Sequence, residues 1–294
     1  MEKVWFITGS SRGLGKELVK AVLESGDLVV ATSRKKEDLK VFVETYPNQV
    51  LTLQLDVMVK PQIEDAVSKA IEKFGRIDVL VNNAGFGIIG ASEAFTDEQM
   101  RSQLETNLYA PIEITRLVLP YMRKQGSGRI LNISSVGGRV GNPGLTIYQA
   151  AKFGLSGYSE SLSREVTPLG IFVTSVEPGA MATDWGTSSM TFAEDIEGYE
   201  NTVGLMKTIL KQVAPGNASY GGDPIKVSQL LIKLAESANP SVHMVVGKDA
   251  YRIVEEEEHK RREEMKKWKA DGDATDYESD ESLFNNEKDF TLYK

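Results

Sequence analysis

The stretch IYQAAKFG sets Tyr148 and Lys152 four residues apart. On a helix that spacing puts a phenol and an ammonium on one face, a turn from each other. A free phenol has a pKa of about 10 and exchanges its proton poorly at neutrality. Poising it near 7 takes roughly 4 kcal/mol of preference for the phenolate. One ammonium at about 4 Å, at an effective dielectric near 20, supplies on the order of that amount. The chemistry open to such a pair is proton exchange with a substrate oxygen. Of the ten tyrosines only Tyr148 has lysine four residues later, which is near what chance supplies, so the rest of the chain must decide.

A second group lies in TGSSRGLG (8–15), where an apolar strand meets a helix. Gly9, Gly13 and Gly15, with Ser11, Arg12 and Leu14 between them, are not spaced as G-x-G-x-x-G. The physics is the same: glycines let the backbone approach a pyrophosphate, and the helix start offers unpaired N–H groups. A glycine-rich turn with no ligand is the plain alternative. At the end of the second strand, where an NAD site carries Asp or Glu, the chain reads ATSRKK. Ser33 and Arg34 stand there, and with Arg12 they suit a 2′-phosphate, because guanidinium matches its oxygens in charge and geometry. The expected cofactor is NADP (NADPH/NADP+).

These residues need elements to hold them. Short β-branched runs at 3–9, 27–33, 50–56, 78–85, 128–134, 170–179 and 242–247 alternate with helical patterns near 14–26, 35–45, 61–74, 97–125, 146–166 and 224–237. Strands apolar on both faces, separated by helices, imply an α/β doubly wound Rossmann-type fold. We expect a mostly parallel, about seven-stranded sheet in one domain over 1–254. Residues 180–222, rich in Met, Ser, Thr and Gly, read as a substrate loop. Residues 255–294 read as a charged helical, partly disordered tail.

Composition narrows the class. A net charge of -8 argues against nucleic acid as a partner. The absence of cysteine, with only His243 and His259 present, argues against metal sites and disulfides and fits a reducing compartment. With no long apolar run, we expect no membrane span and a cytoplasmic protein.

In order along the chain, Thr8-Gly9-x-x-x-Gly13-x-Gly15, Asp56, Asn82-Asn83-Ala84-Gly85, Asn107, Ser135, Tyr148, Lys152, Pro178-Gly179 and Thr183 resemble the short-chain dehydrogenase/reductase family. The resemblance covers roughly residues 3–250. It implies a catalytic tetrad of Asn107, Ser135, Tyr148 and Lys152, with Ser135 chosen over Ser134 by the family's usual distance to the tyrosine. It also implies that Asp56, with Val57, holds the adenine, and that Asn83, Ala84 and Gly85 pack along the cofactor. Pro178, Gly179 and Thr183 would meet the nicotinamide end, and Tyr148 and Lys152 would also touch the cofactor. The implied activity interconverts a carbonyl and an alcohol, on a small molecule, in a homodimer or homotetramer pairing through the two long helices. Gly154, Gly157 and Ser161 would permit close approach there, or equally pack within the chain.

Pocket walls are expected from loops beyond the strand ends: Phe86, Val140, Met181 and Trp185, beside Ser135 and Tyr148. Leu145, Met190 and Phe192 are further candidates, and their character suggests a hydrophobic substrate. A non-catalytic NADP(H)-binding regulator is the rival reading, and a matched phenol and ammonium count against it.

Overall fold

In the computed structural model, which describes residues 2–181, 190–212 and 221–276, alternate residues of each central strand enter different cores. β1 (Val4–Ile7) sends Trp5 and Ile7 to one face of a sheet and Val4 and Phe6 to the other, all buried. β2 (Leu28–Ser33) divides Val29 and Ala31 from Val30, and β4 (Val79–Asn82) divides Val79 and Val81 from Leu80. Such a pattern requires cover on both faces. α1 (Gly13–Glu24) and the later helix Pro224–Glu236 close one face through Leu18, Val22 and Leu231. The helices Lys60–Phe74, Ala110–Gln125 and Thr146–Val166 close the other through Ile63, Ile114 and Leu162. Each side chain of this kind contributes roughly 1.5–3 kcal/mol on burial, so the two sheet faces carry much of the stability.

In chain order the remaining strands are β3 (Val50–Gln54), β5 (Gly87–Ile89), β6 (Gly128–Ile133), β7 (Ile171–Pro178), β8 (Met190–Phe192) and β9 (His243–Val246). The main sheet runs β3-β2-β1-β4-β6-β7-β9 with every neighbouring pair parallel. This is the seven-stranded doubly wound fold expected from the sequence. The order reverses between β1 and β4, so a crevice opens beyond their carboxyl ends.

Two differences from the expected elements bear on the site. The helix expected over 97–125 is α4 (Asp97–Leu104), a wide π turn at Glu105–Tyr109, and α5 (Ala110–Gln125). Pro111, four residues beyond Asn107, has no N–H for the Asn107 carbonyl, so regular α-helical bonding stops there. The segment expected to be loop contains β8, paired with β5 in a small parallel ribbon, and the helix Leu205–Gln212. Parts of that segment, 182–189 and 213–220, lie outside the described residues.

The chain divides into two compact units, Met1–Ile253 and Val254–Lys294. The first holds the sheet and its helices. In the second, described to residue 276, the helical residues are mostly exposed and joined by pairs such as Arg261–Glu257 at 3.4 Å and Lys266–Glu263 at 2.7 Å. Among the described residues no helix is long and apolar enough to cross a membrane.

Candidate active site

Numbering the helices in chain order makes Lys40–Thr45 α2, Lys60–Phe74 α3, Thr146–Val166 α6, Leu205–Gln212 α7, Pro224–Glu236 α8 and Lys248–Lys267 α9. α6 buries Tyr148, Lys152, Leu155, Ser156 and Ser159 along one side, so the phenol and ammonium of the IYQAAKFG stretch face inward. A cavity of about 320 Å³ lies above them. Gly13, Leu14, Gly85, Ser135, Tyr148 and Lys152 line it together with Pro178, Gly179 and Met181. Residues up to 168 positions apart in sequence therefore border one space, because each sits at the carboxyl end of a strand or the start of the following helix.

The glycine turn is built for close approach. Gly9 has φ +69°, which a side chain disfavours, and a Cβ on Gly15 would overlap the Gly9 carbonyl oxygen. Asn83 braces the turn, its Nδ2 donating to the carbonyls of Thr8 at 2.9 Å and Gly9 at 3.1 Å. Thr8 Oγ1 accepts in return from the backbone of Asn83 at 2.9 Å and Ala84 at 3.0 Å. α1 has no acidic residue in its first turn and no side-chain cap, so its N-terminal N–H groups are suited to an anion. A dinucleotide pyrophosphate fits this cradle.

At the end of β2, Ser33 is buried with its hydroxyl accepting from Lys35 N at 3.3 Å, and Arg34 and Arg12 are exposed. Asp56 follows β3; its carboxylate accepts from Met58 N at 3.0 Å, and Val57 is buried beside it. Thr183 and Trp185 lie outside the described residues.

The chemistry-bearing side chains have distinct surroundings. Lys152 Nζ donates to the Ile133 carbonyl at 2.7 Å and lies 5.8 Å from the centre of the Tyr148 ring. Burial pushes the phenol up to about 12, against a hydrogen bond with Ser135 that pulls it down, and pushes the ammonium down to about 8. Exclusion of water therefore works against the lowering of the phenol that a neighbouring ammonium favours. Ser134 gives its hydroxyl to the Lys152 carbonyl at 3.1 Å, while Ser135 Oγ accepts from Gly137 N at 3.0 Å and faces the phenol. Asn107 is fully buried; its side chain accepts from Phe86 N at 3.2 Å and donates to Phe86 O at 2.8 Å. Gln103, one turn earlier, donates to the same carbonyl at 2.9 Å.

The expected walls divide. Phe86, Leu145 and Met181 line the cavity, whereas Val140 is buried with its carbonyl held by Gln149 at 2.9 Å. Met190 packs with Ile89, Leu145 and Tyr148, and Phe192 is exposed beneath Lys211. Missed in the sequence were Met206 and Leu210 of α7, which line the cavity one helical turn apart. Gly154 lies against Leu108, where a Cβ would come within 3.0 Å.

Known proteins share this sequence pattern and this fold. The sequence model of the family described as short chain dehydrogenase matches residues 3–194. The chain is 41% identical over 251 residues to oxidoreductase BOA17 of Botryotinia fuckeliana, covering 85% of this chain and 90% of that one. It is 36% identical to a 3-ketodihydrosphingosine reductase of Bacteroides thetaiotaomicron, over 83% of this chain and 88% of that one. A solved short-chain dehydrogenase from Streptomyces avermitilis superposes with a TM-score of 0.88 at 33% identity, covering 94% of this chain and 99% of that one. With the parallel sheet, the glycine cradle and this breadth of similarity in hand, the chain belongs to the short-chain dehydrogenase family of oxidoreductases, which bind nicotinamide cofactors.

Proposed function

We propose that this chain is an NADP(H)-dependent oxidoreductase that interconverts a carbonyl and an alcohol on a hydrophobic small molecule. The observation that carries the reading is the shared cavity: Tyr148, Lys152 and Ser135 border the same space as Gly13 of the cofactor cradle and Gly179. The apolar wall of Phe86, Leu145, Met181, Met206 and Leu210 supports a hydrophobic substrate. A relative named as a reductase of a keto compound supports the carbonyl chemistry.

The Gly9–Gly15 turn and Pro178–Gly179 would hold a dinucleotide whose nicotinamide would supply or accept the hydride at the substrate carbon. In the reducing direction the Tyr148 hydroxyl gives its proton to the substrate oxygen, and the Ser135 hydroxyl donates a hydrogen bond to that same oxygen. Lys152 stabilises the phenolate left behind. Asn107, at the wide turn where Pro111 withholds a donor, offers its carbonyl to a water that links Lys152 with solvent and restores the proton. The test is a panel of ketones, aldehydes and alcohols with NADPH or NADP+, followed at the nicotinamide absorbance. Turnover of apolar carbonyls is the expected result, and thermal stabilisation by NADPH without turnover across the panel would leave only a binding protein.

Ser33, Arg34 and Arg12 are proposed to hold the 2′-phosphate. A charge-assisted hydrogen bond contributes about 1.5–3 kcal/mol, so Arg34→Asp is expected to shift the ratio of kcat/KM for NADH over NADPH by roughly 10- to 100-fold. An unchanged ratio would mean that the phosphate is bound elsewhere. The proposal also includes a cytoplasmic location, consistent with the absence of cysteine, and a homodimer or homotetramer, measurable by light scattering.

A further inference from the structure

Glu177 stands on β7 directly before Pro178 and Gly179, its side chain fully buried, and the chemistry above makes no use of it. A carboxylate so deep needs partners, because an unpaired buried charge is strongly unfavourable. Arg139 Nη1 donates to its Oε2 at 3.1 Å. His243 Nδ1 lies 2.7 Å from Oε1, and the hydroxyls of Ser175 and Ser156 donate to the same oxygen at 3.0 and 3.4 Å. Burial by itself pushes the carboxyl up. The hydrogen bond and charge of His243, with Arg139 and Ser175, outweigh burial and hold Glu177 below its ordinary range. The contact with Glu177 raises His243 in turn, and His243 Nε2 faces Glu160 of α6 at 3.5 Å.

Two arms reach from this carboxylate to the candidate site. Ser156 Oγ lies 2.9 Å from Ser134 Oγ, which donates to the Lys152 carbonyl at 3.1 Å. A peptide carbonyl has no proton to pass on, so this chain of hydroxyls cannot feed the Lys152 ammonium and can only orient α6. The other arm is Arg139, which ends the turn Val136–Gly138 that follows Ser135. That turn is seated so closely that a Cβ on Gly138 would come within 2.7 Å of both Ser134 Oγ and Ser156 Oγ. The turn carrying Ser135, the helix carrying Tyr148 and Lys152, and the strand ending in Pro178–Gly179 meet at one carboxylate.

We propose that Glu177 is a positioning residue: through Arg139 and Ser156 it fixes Ser135 and α6 against the Pro178–Gly179 turn. Its effect on turnover rests on the oxidoreductase reading above, whereas its effect on local order does not. In the full-length chain, Glu177→Gln is expected to lower kcat about 10-fold or more, with KM and the NADPH dissociation constant within about threefold, since misplacing a reacting group by about 1 Å can cost 100-fold. Arg139→Gln should reproduce the loss, the double variant should fall no further than either single one, and Glu177→Asp should recover part of kcat. Hydrogen exchange of amides 136–141 should speed up in Glu177→Gln while β1 and β4 stay protected. Undiminished kcat overturns the proposal, as does a loss spread equally over NADPH affinity, melting temperature and exchange of the central strands. Should the wild-type chain turn over no carbonyl, the oxidoreductase reading fails alone; unchanged protection of 136–141 then overturns the clamp, and lost protection upholds it.

Discussion

Tyr148→Phe is expected to abolish NADPH-dependent carbonyl reduction, lowering kcat by about 100- to 10,000-fold, the span that positioned proton transfer supplies. The substitution removes one oxygen and little else. The ring packs with Ile89, Leu145 and Met190, contacts that phenylalanine keeps, so the fold and the cavity wall should persist. The substitution leaves the glycine turn and its Asn83 brace untouched, so NADPH affinity should stay within about threefold. The buried surroundings make the substitution informative. Burial pushes the phenol up to about 12 and the lysine down to about 8, and the same burial gives water poor access to substitute for the missing hydroxyl. Stopped-flow or steady-state rates, with a fluorescence titration of NADPH, give both numbers. A variant that binds NADPH and still turns over at the wild-type rate would remove Tyr148 from the chemistry.

The sheet was legible because its strands are apolar on both faces: Val4 through Ile7 have no solvent side, and that leaves a parallel, doubly covered sheet as the consistent architecture. The ordered motifs pointed to the family for a different reason, namely that a turn, a strand end and a helix face each demand particular residues. What stayed hidden was local. The break at Glu105–Tyr109 follows from Pro111 together with a buried amide, and the helical periodicity on either side masks it. α7 left a signal that could have been read: Met206, Ile209 and Leu210 stand at helical spacing inside LMKTILKQ, but the surrounding Ser, Thr and Gly dilute the pattern. Glu177 left none. A glutamate between Val176 and Pro178 at a strand end looks like a surface residue until Arg139 and His243, which lie 38 and 66 positions away, are brought to it. Burial is a tertiary property, and it also pushes the Tyr148 phenol up, against what a neighbouring ammonium favours.

Gly15→Ala is expected to weaken NADPH binding by at least about 100-fold, close to 2.7 kcal/mol, while lowering the melting temperature. The reason is a collision that has no side-chain remedy. A Cβ at position 15 would overlap the Gly9 carbonyl oxygen and come within 2.5 Å of Asn83 Nδ2. That amide is committed to the Thr8 and Gly9 carbonyls, so it cannot retreat without releasing the brace that shapes the turn. Overpacking of this sort costs about 1–3 kcal/mol, or roughly 3–10 °C for a domain of this size. Gly157→Ala supplies the contrast. Gly157 lies within α6 with open space in this chain where its Cβ would go, so alanine there should leave NADPH affinity alone. Lost NADPH affinity at Gly15 against unchanged affinity at Gly157, read by NADPH titration, separates close backbone approach at the dinucleotide from the loss of a glycine as such. Full NADPH affinity in Gly15→Ala would mean that the cradle at the start of α1 does not hold the dinucleotide, and the proposed chemistry would then lack a hydride donor at Tyr148.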